Sequence, residues 1–225
     1  MKKVFILLLA LVALLTLAAC NRTDAPESTS DSQSGSADTT ESRSGTVNAE
    51  MTGGEDHELE WNSAYLEGAV RDKLNIYDRP LMLSDVYDMT KLDIANVRLS
   101  NLSALKQFPN LETLYLDSCR IEDVSALGEL TSLKELSLIG NSITDISALG
   151  GLTQLTYLNL SGNSIEDITP LAGLTELTYL DLSRNDITDV SALASLTKLE
   201  TLNLSRNSIE DYSAVEALDI ADFTK

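Results

Sequence analysis

The sequence has little of what most enzymes use for catalysis. Its 225 residues include one histidine, two cysteines, one tryptophan and four prolines. His57 is the only imidazole, and Cys20 and Cys119 are the only thiols. A serine or cysteine nucleophile needs a positioned base beside it, and one imidazole outside the repeated part of the chain cannot provide one there. The composition therefore predicts a protein that is not an enzyme and that uses no cofactor.

Basic residues are also scarce. There are 16 lysines and arginines against 35 aspartates and glutamates, which gives a formal net charge of −19. A field of that sign repels phosphate backbones. Nucleic acid is therefore excluded as an expected partner.

Long hydrophobic runs are absent except at the N-terminus. Lys2 and Lys3 come before an apolar run, Val4–Leu17, and small residues then lead to Cys20. The run is shorter than the ~20 residues that cross a bilayer as a helix. A basic start, an apolar middle and a small-residue end are typical of a secretory signal peptide.

The segment Leu17-Ala18-Ala19-Cys20 resembles the processing site of bacterial lipoproteins. That resemblance implies a signal peptide over residues 1–19, cleavage after Ala19, and lipid attachment to Cys20. Several acyl chains anchor a protein firmly, since each buried methylene contributes ~0.8 kcal/mol. Ordinary cleavage with a free Cys20, or an uncleaved anchor, are the alternatives.

Residues 20–56 are predicted to form the lipidated cysteine followed by a disordered acidic tether. Serine, threonine, glycine and acidic residues dominate, and only Val47 and Met51 are sizeable apolar residues. Such a segment cannot bury enough surface to offset its ordering entropy. It is either a spacer that lifts the folded part from a membrane or a passive linker. His57, at its end, is interpreted as a solvated residue.

Residues 89–220 repeat with a step of 22 residues. Counted from the first apolar residue of each unit, positions 1, 4, 6, 11, 14, 17 and 20 are apolar. Six such units fill residues 89–220, with 221–225 as a short C-terminal end. The alternation around positions 4 and 6 predicts a strand with one buried face, and stacked units give a parallel sheet. The units begin at Met89, Leu111, Leu133, Leu155, Leu177 and Leu199.

This pattern resembles the leucine-rich repeats of the bacterial internalin class. The resemblance implies an α/β solenoid, a right-handed coil with a parallel β-sheet on its concave face and a helical N-terminal cap. The cap is placed at residues 57–88, where Leu66, Val70 and Leu74 share a helical stripe and Trp61 packs on it. Ser84 is the expected N-cap of a second short helix.

Three columns of polar residues run along the units. The resemblance implies that a buried asparagine at position 9 bonds the backbone of the turn after the strand, with Cys119 in its place in unit 2. Cys119 is interpreted as buried and inert, with a reactive thiol as the alternative. Serine or threonine at position 15 is expected to begin a short helical turn. Aspartates at position 13 suggest either calcium, which suits carboxylate oxygens, or local bonds to turn amides. The second interpretation is favoured, so no metal is predicted.

The resemblance places positions 3, 5, 7 and 8 on the concave face. Tyr157 and Tyr179 share position 3 of adjacent units, so their rings are expected to be neighbours. Tyrosine and arginine are favoured at interfaces, although tyrosine also suits exposed strands by propensity alone. The predicted partner-binding residues are Tyr115, Ile139, Tyr157, Asn159, Tyr179, Asp181, Arg184, Asn203 and Arg206.

These observations predict a lipid-anchored surface module whose concave face binds a protein or peptide. The expected location is extracytoplasmic, at a bacterial cell surface or the periplasmic face of a membrane, and the expected state is a monomer. The alternative is a structural or self-associating envelope lipoprotein with no dedicated ligand. An uncapped C-terminal end would favour dimerisation.

Overall fold

The computed structural model describes residues 55–225. The predicted signal peptide, the lipidated Cys20 and the tether up to residue 54 lie outside the described residues. Within the described part of the chain, no helix has the length and apolar character needed to cross a membrane.

Seven parallel strands form one sheet in the order in which they occur along the chain. The first six strands pair one repeat apart, as in Leu114 opposite Leu136 and Leu158 opposite Leu180. The 22-residue step is therefore the register of the sheet, and the predicted solenoid with a parallel sheet is confirmed. The strands are β1 (Lys91–Ala95), β2 (Thr113–Asp117), β3 (Glu135–Ser137), β4 (Tyr157–Asn159), β5 (Tyr179–Asp181), β6 (Thr201–Asn203) and β7 (Asp222–Thr224).

The apolar positions of each unit form one continuous core. In the unit that begins at Leu155, all seven predicted positions are at most 2% exposed. Alternation puts the position 4 and 6 leucines inside, and β1 shows the resulting pattern of exposed and buried residues in turn. A unit shares its core with both neighbours, so stability is collective along the array.

A short 3-10 helix crosses back from each strand to the next in the first five units. Each begins at the position 15 residue, as predicted, and no side-chain hydrogen bond from the residue before it caps the helix. The aspartate two residues earlier acts instead: Asp123 Oδ1 accepts the N–H of Ser125 at 2.8 Å. The 3-10 helices are Ser103–Gln107, Ser125–Glu129, Ser147–Gly151, Thr169–Gly173 and Ser191–Ser195.

The position 13 aspartates all make this bond. Asp145, Asp167, Asp189 and Asp211 each accept the N–H of the residue two places on, at 2.8 Å. Accepting that N–H lowers the pKa of most of these carboxyls, as at Asp145. Local bonding therefore accounts for the acidic column. Residues 55–225 contain no cluster of histidine, cysteine, aspartate and glutamate able to hold a metal ion.

The position 9 asparagines join neighbouring units. Asn163 Nδ2 donates to the carbonyl of Leu160 in its own unit at 2.9 Å and to that of Leu138 in the preceding unit at 3.0 Å. Its Oδ1 accepts the N–H of Ile143, also in the preceding unit, at 3.1 Å. Asn141 and Asn185 make equivalent bonds. The buried amides thus satisfy backbone groups on both sides of each junction.

Cys119 takes the place of this asparagine in unit 2. It is fully buried, and burial raises the pKa of its thiol. Its Sγ lies 3.5 Å from the carbonyl oxygen of Ile94. The interpretation of Cys119 as buried is confirmed, and an inaccessible thiol with a raised pKa is expected to be inert.

Helices cover the N-terminal end of the core. Helix α1 (Ala64–Leu74) is capped by Ser63, whose hydroxyl accepts the N–H of Leu66 at 3.3 Å. Leu66 and Val70 are fully buried, and Leu74 packs partly buried against the core. The prediction of a helical cap that packs through Leu66, Val70 and Leu74 is therefore confirmed.

The second cap helix differs from the prediction at its first turn. Helix α2 (Leu83–Val86) begins after Met82, and Asp85 accepts the Met82 N–H at 2.8 Å. Ser84 lies inside the helix and donates from its hydroxyl to Asp56 at 2.8 Å. The prediction of Ser84 as N-cap was wrong, because the helix begins one residue before Ser84. The Asp85 carboxylate accepts the Met82 N–H at the start of the helix.

The end of the array carries an element that the sequence did not reveal. Residues after Ile220 form β7, which pairs with β6 and places Phe223 opposite Leu202. Helix α3 (Ser213–Glu216) precedes it, and Phe223 makes an edge contact with Tyr212 at 6.1 Å between ring centroids. Phe223 thus packs against the core at this end of the sheet. The three residues Asp222–Thr224 are too few and too polar for the sequence to predict a strand there.

Replacing Asn163 with alanine is expected to lower the free energy of unfolding by about 2–4 kcal/mol. The change leaves one buried backbone N–H and two carbonyls short of a partner, and each unsatisfied buried group costs about 1–3 kcal/mol, with partial relief from water. Urea denaturation measures the loss. Ser164→Ala is the matched control, because the neighbouring Ser164 is exposed, and its effect should stay within about 0.5 kcal/mol. Equal effects of the two substitutions would contradict the structural role of the amide.

Candidate functional site

The outward side of the sheet presents a regular surface, here called the strand face. It consists of the side chains at positions 3, 5 and 7 of each unit, which alternate with the buried leucines. Neighbouring strands lie ~4.8 Å apart, so residues at one position form a column across the sheet. Any large side chain repeated at one position therefore contacts its counterpart.

Two tyrosines stack on this face. Tyr157 of β4 pairs in register with Tyr179 of β5. Their ring centroids are 4.4 Å apart and their planes differ by 11°. The expectation that these two rings are neighbours is confirmed. Both side chains are only partly buried, so the stack offers an apolar edge to solvent.

A third tyrosine extends the stack on one side. Tyr115 of β2 lies 6.3 Å from Tyr157, with the ring planes at 48°. Its hydroxyl donates to Glu135 Oε2 at 2.5 Å, and Lys91 Nζ lies 4.9 Å from its ring centroid. Tyr115, Tyr157 and Tyr179 are referred to below as the tyrosine cluster. The cluster crosses four units, β2 to β5.

The carboxylate of Glu135 controls the protonation of Tyr115. The hydrogen bond favours the neutral phenol, and ionisation would place two negative charges side by side. Together with partial burial this raises the pKa of Tyr115 to about 12. Glu135 and Lys91 were not among the predicted site residues. Both occupy position 3, as Tyr157 and Tyr179 do, and that shared position is the signal that could have identified them.

The polar residues at position 5 of the last units support the backbone more than they offer contacts. Asn159 Oδ1 accepts the N–H of Ser161 at 3.0 Å, and the residue is only 5% exposed. This differs from the expectation that Asn159 projects from the face, because its side chain folds back on the end of its own strand.

Asp181 and Asn203 repeat the same motif but remain partly exposed. Asp181 Oδ1 accepts the N–H of Ser183 at 2.8 Å, and its Oδ2 accepts Asn203 Nδ2 at 3.2 Å. Asn203 Oδ1 accepts the N–H of Ser205 at 3.1 Å. These bonds fix the ends of β5 and β6.

Ile139 lies beyond the end of β3 and is half-buried. Its backbone N–H donates to Asp117 Oδ1 at 3.0 Å, and the same oxygen accepts the hydroxyl of Ser137 at 2.6 Å. The structure thus places Ile139 at the carboxyl edge of the strand face. Its membership of the binding surface stays a prediction.

Position 8 has a backbone conformation that sequence reasoning missed. It has a positive φ in all six units, which glycine adopts at little cost and other residues at a cost of roughly 1–2 kcal/mol. Glycine is present in units 3 and 4, whereas arginine stands there in units 5 and 6. The residues and φ values are Asn96 (61°), Ser118 (57°), Gly140 (65°), Gly162 (69°), Arg184 (57°) and Arg206 (61°).

Comparison with known proteins agrees with this geometry. The family model for leucine-rich repeats in two-copy form matches residues 89–129, 131–173 and 175–217. The chain is a leucine-rich-repeat protein. No curated protein matches this leucine-rich-repeat sequence at a significant level.

Solved structures of internalins from Listeria monocytogenes share the fold. The internalin InlF is 31% identical, with a TM-score of 0.59 over 71% of this leucine-rich-repeat chain and 55% of that chain. The functional domain of InlJ, described as including a cysteine ladder, is 27% identical, with a TM-score of 0.54 over 63% of this chain and 30% of that one. This chain therefore spans about half and about a third of those two relatives. The chain is thus similar in fold to internalins, and the leucine-rich-repeat fold is typical of protein-interaction modules.

Replacing Glu135 with glutamine is expected to lower the pKa of Tyr115 from about 12 toward 10, because the charge that opposes ionisation is removed. In the wild type, a raised folded pKa means that this contribution to stability is present below pH 10 and is lost as the pH rises toward 12. NMR titration of the tyrosine ring carbons measures the shift. Glu112→Gln is the control, since Glu112 pairs with Lys134. An unchanged Tyr115 titration in the Glu135 variant would contradict the bond.

Proposed function

We propose that this protein is a membrane-anchored binding module at the outer surface of a bacterial membrane, and that its strand face recognises a protein or peptide. The single observation that carries the proposal is the tyrosine cluster. Three partly exposed rings cross the middle of an otherwise polar sheet, and two of them are stacked at 4.4 Å.

Such a surface suits recognition. Tyrosine supplies a large contact area at a small entropic cost, and a few aromatic anchors carry most of the binding energy in typical interfaces. The stack is already formed, so a partner does not have to order the rings on binding. The hydroxyl of Tyr115 is held by Glu135 and its ring by Lys91, which fixes the third anchor as well.

The polar surroundings add selectivity. Asp181 and Asn203 hold the strand ends beside the cluster, and Arg184 and Arg206 lie at the carboxyl edge of the face. Hydrogen-bonding groups around an apolar centre match the usual anatomy of a protein interface. We infer a small contact area, matched to a peptide or a single protein loop, and a monomeric protein.

The anchoring part of the proposal rests on sequence. Cys20 follows a signal-like segment, and its lipidation would hold the module at the membrane with residues 21–56 as a spacer. Cys20→Ser is expected to abolish incorporation of labelled fatty acid and to release the protein from the membrane fraction. Cys119→Ser is the matched control, because Cys119 is buried. Retained membrane association without acylation would favour an uncleaved hydrophobic anchor instead.

The double substitution Tyr157→Ala/Tyr179→Ala is expected to weaken partner binding at least about 30-fold, which corresponds to the ~2 kcal/mol of an interface hot spot. The melting temperature should change by only a few degrees, because the rings are partly exposed. Proteins retained from extracts by the immobilised full chain identify the partner, and titration calorimetry measures the affinity.

Tyr65→Ala/Tyr77→Ala is the matched control. These two tyrosines are 64% and 62% exposed on the N-terminal cap, away from the sheet. Partner binding should survive this change. If the Tyr157/Tyr179 variant instead loses self-association in analytical ultracentrifugation, and no partner depends on the rings, the structural lipoprotein becomes the correct function.

A further inference from the structure

The carboxyl edge of the strand face carries two guanidinium groups without a partner. Arg184 and Arg206 are exposed and occupy position 8 of successive units. The Arg184 N–H donates to the carbonyl of Ser205 at 2.9 Å, which places the two residues on neighbouring turns of the coil. Within residues 55–225, neither guanidinium forms an ion pair.

Asp181, a carboxylate of the same unit as Arg184, is already engaged. Both oxygens of Asp181 accept hydrogen bonds, one from the Ser183 N–H and the other from Asn203 Nδ2. It holds the ends of β5 and β6 rather than the arginines. The two cations are therefore left to solvent in a chain with 35 acidic residues.

Arginine is an expensive choice at this position. The φ angles of 57° and 61° lie in the left-handed region, where glycine is preferred and where glycine stands in units 3 and 4. In addition, two like charges on adjacent strands, ~4.8 Å apart at the backbone, repel each other. The left-handed backbone is common to position 8 of every unit, so what distinguishes units 5 and 6 is that each carries a cationic side chain there.

We propose that Arg184 and Arg206 form an anion clamp that binds a carboxylate of an extended peptide, while an apolar side chain of the same peptide lies on Tyr157 and Tyr179. The inference rests on the proposed function and specifies the class of partner: an acidic peptide with one apolar anchor. Two guanidinium groups can donate to both oxygens of one carboxylate, and a bound carboxylate relieves their repulsion.

The fold also sets the spacing within the peptide. Tyr179 and Arg184 are five residues apart, and only Tyr179–Asp181 lies in β5, so their separation is at most about 16 Å at ~3.3 Å per residue. A peptide that lies along the strand would place its apolar anchor and its carboxylate four or five residues apart. A monoanionic carboxylate fits better than a phosphate dianion, because the surrounding chain is strongly acidic.

The test uses labelled synthetic peptides and the full chain. Each peptide carries one phenylalanine and one glutamate, separated by glycine and serine so that they stand two to seven residues apart, with an amidated C-terminus. A second set has glutamine in place of glutamate. Fluorescence anisotropy should show about tenfold tighter binding of the glutamate peptide than of its glutamine partner when the separation is four or five residues.

Arg184→Gln/Arg206→Gln should abolish this glutamate preference, so that the glutamate and glutamine peptides bind equally. Arg98→Gln/Arg120→Gln is the matched control and should retain the preference. Arg98 and Arg120 are also exposed, unpaired and one repeat apart, but they occupy position 10, beyond the inward-facing position 9. A phosphoserine peptide that binds more tightly than the glutamate peptide would overturn the assignment to a carboxylate.

Equal binding of the glutamate and glutamine peptides by the wild type would overturn the clamp. The proposed function would still stand if Tyr157→Ala/Tyr179→Ala weakened that binding. If no peptide bound in a way that depended on these tyrosines, both the anion clamp and the proposed function would fail.

Independently, Arg184→Gly and Arg206→Gly should each raise the melting temperature, because glycine relieves the strained φ. A lowered melting temperature would show that the arginines serve the fold, which would also overturn the proposal.

Discussion

Each turn of this coil closes its hydrogen bonds on its neighbour as well as on itself. The buried amide of Asn163 accepts from Ile143 in the preceding unit and donates to the carbonyls of Leu138 and Leu160 on both sides of the junction. With the parallel strand pairing, this leaves no junction that can open without exposing unsatisfied backbone groups. Since a single unit cannot bury its own apolar face, the array folds as a whole. The strand face is regular because every unit stacks on its neighbour in the same way.

Much of the architecture could be read from the sequence because the signal is repeated. Leucines that recur every 22 residues determine the strand register, because a residue at one position lies beside its counterpart one unit away. The same register places Tyr157 beside Tyr179. The local role of the position 13 aspartates was predictable for the same reason. Each such feature is a property of the repeat and not of one residue.

Features that belong to single residues were not predictable. The bond between Tyr115 and Glu135 joins position 5 of one unit to position 3 of the next, so no column reveals it. Strand β7 has only one apolar residue, Phe223, and depends on the edge of β6 for its pairing. The positive φ at position 8 is hidden because glycine stands there in only two of the six units. In each case tertiary context, which a local pattern does not encode, determines the outcome.

The replacement of asparagine by Cys119 has a consequence for how the first junction is held. A thiol has a single hydrogen to donate, and the contacts of Cys119 Sγ with the carbonyl oxygens of Ile94 at 3.5 Å and Asp117 at 3.4 Å are weak. At this junction the strands are longer: β1 and β2 pair over five residues, whereas the next four junctions pair over three. The first two units are therefore joined mainly by main-chain hydrogen bonds, whereas the later junctions add the side-chain bonds of a buried amide. A substitution at position 9 should for this reason matter less to cohesion at the N-terminal end of the array than in its middle.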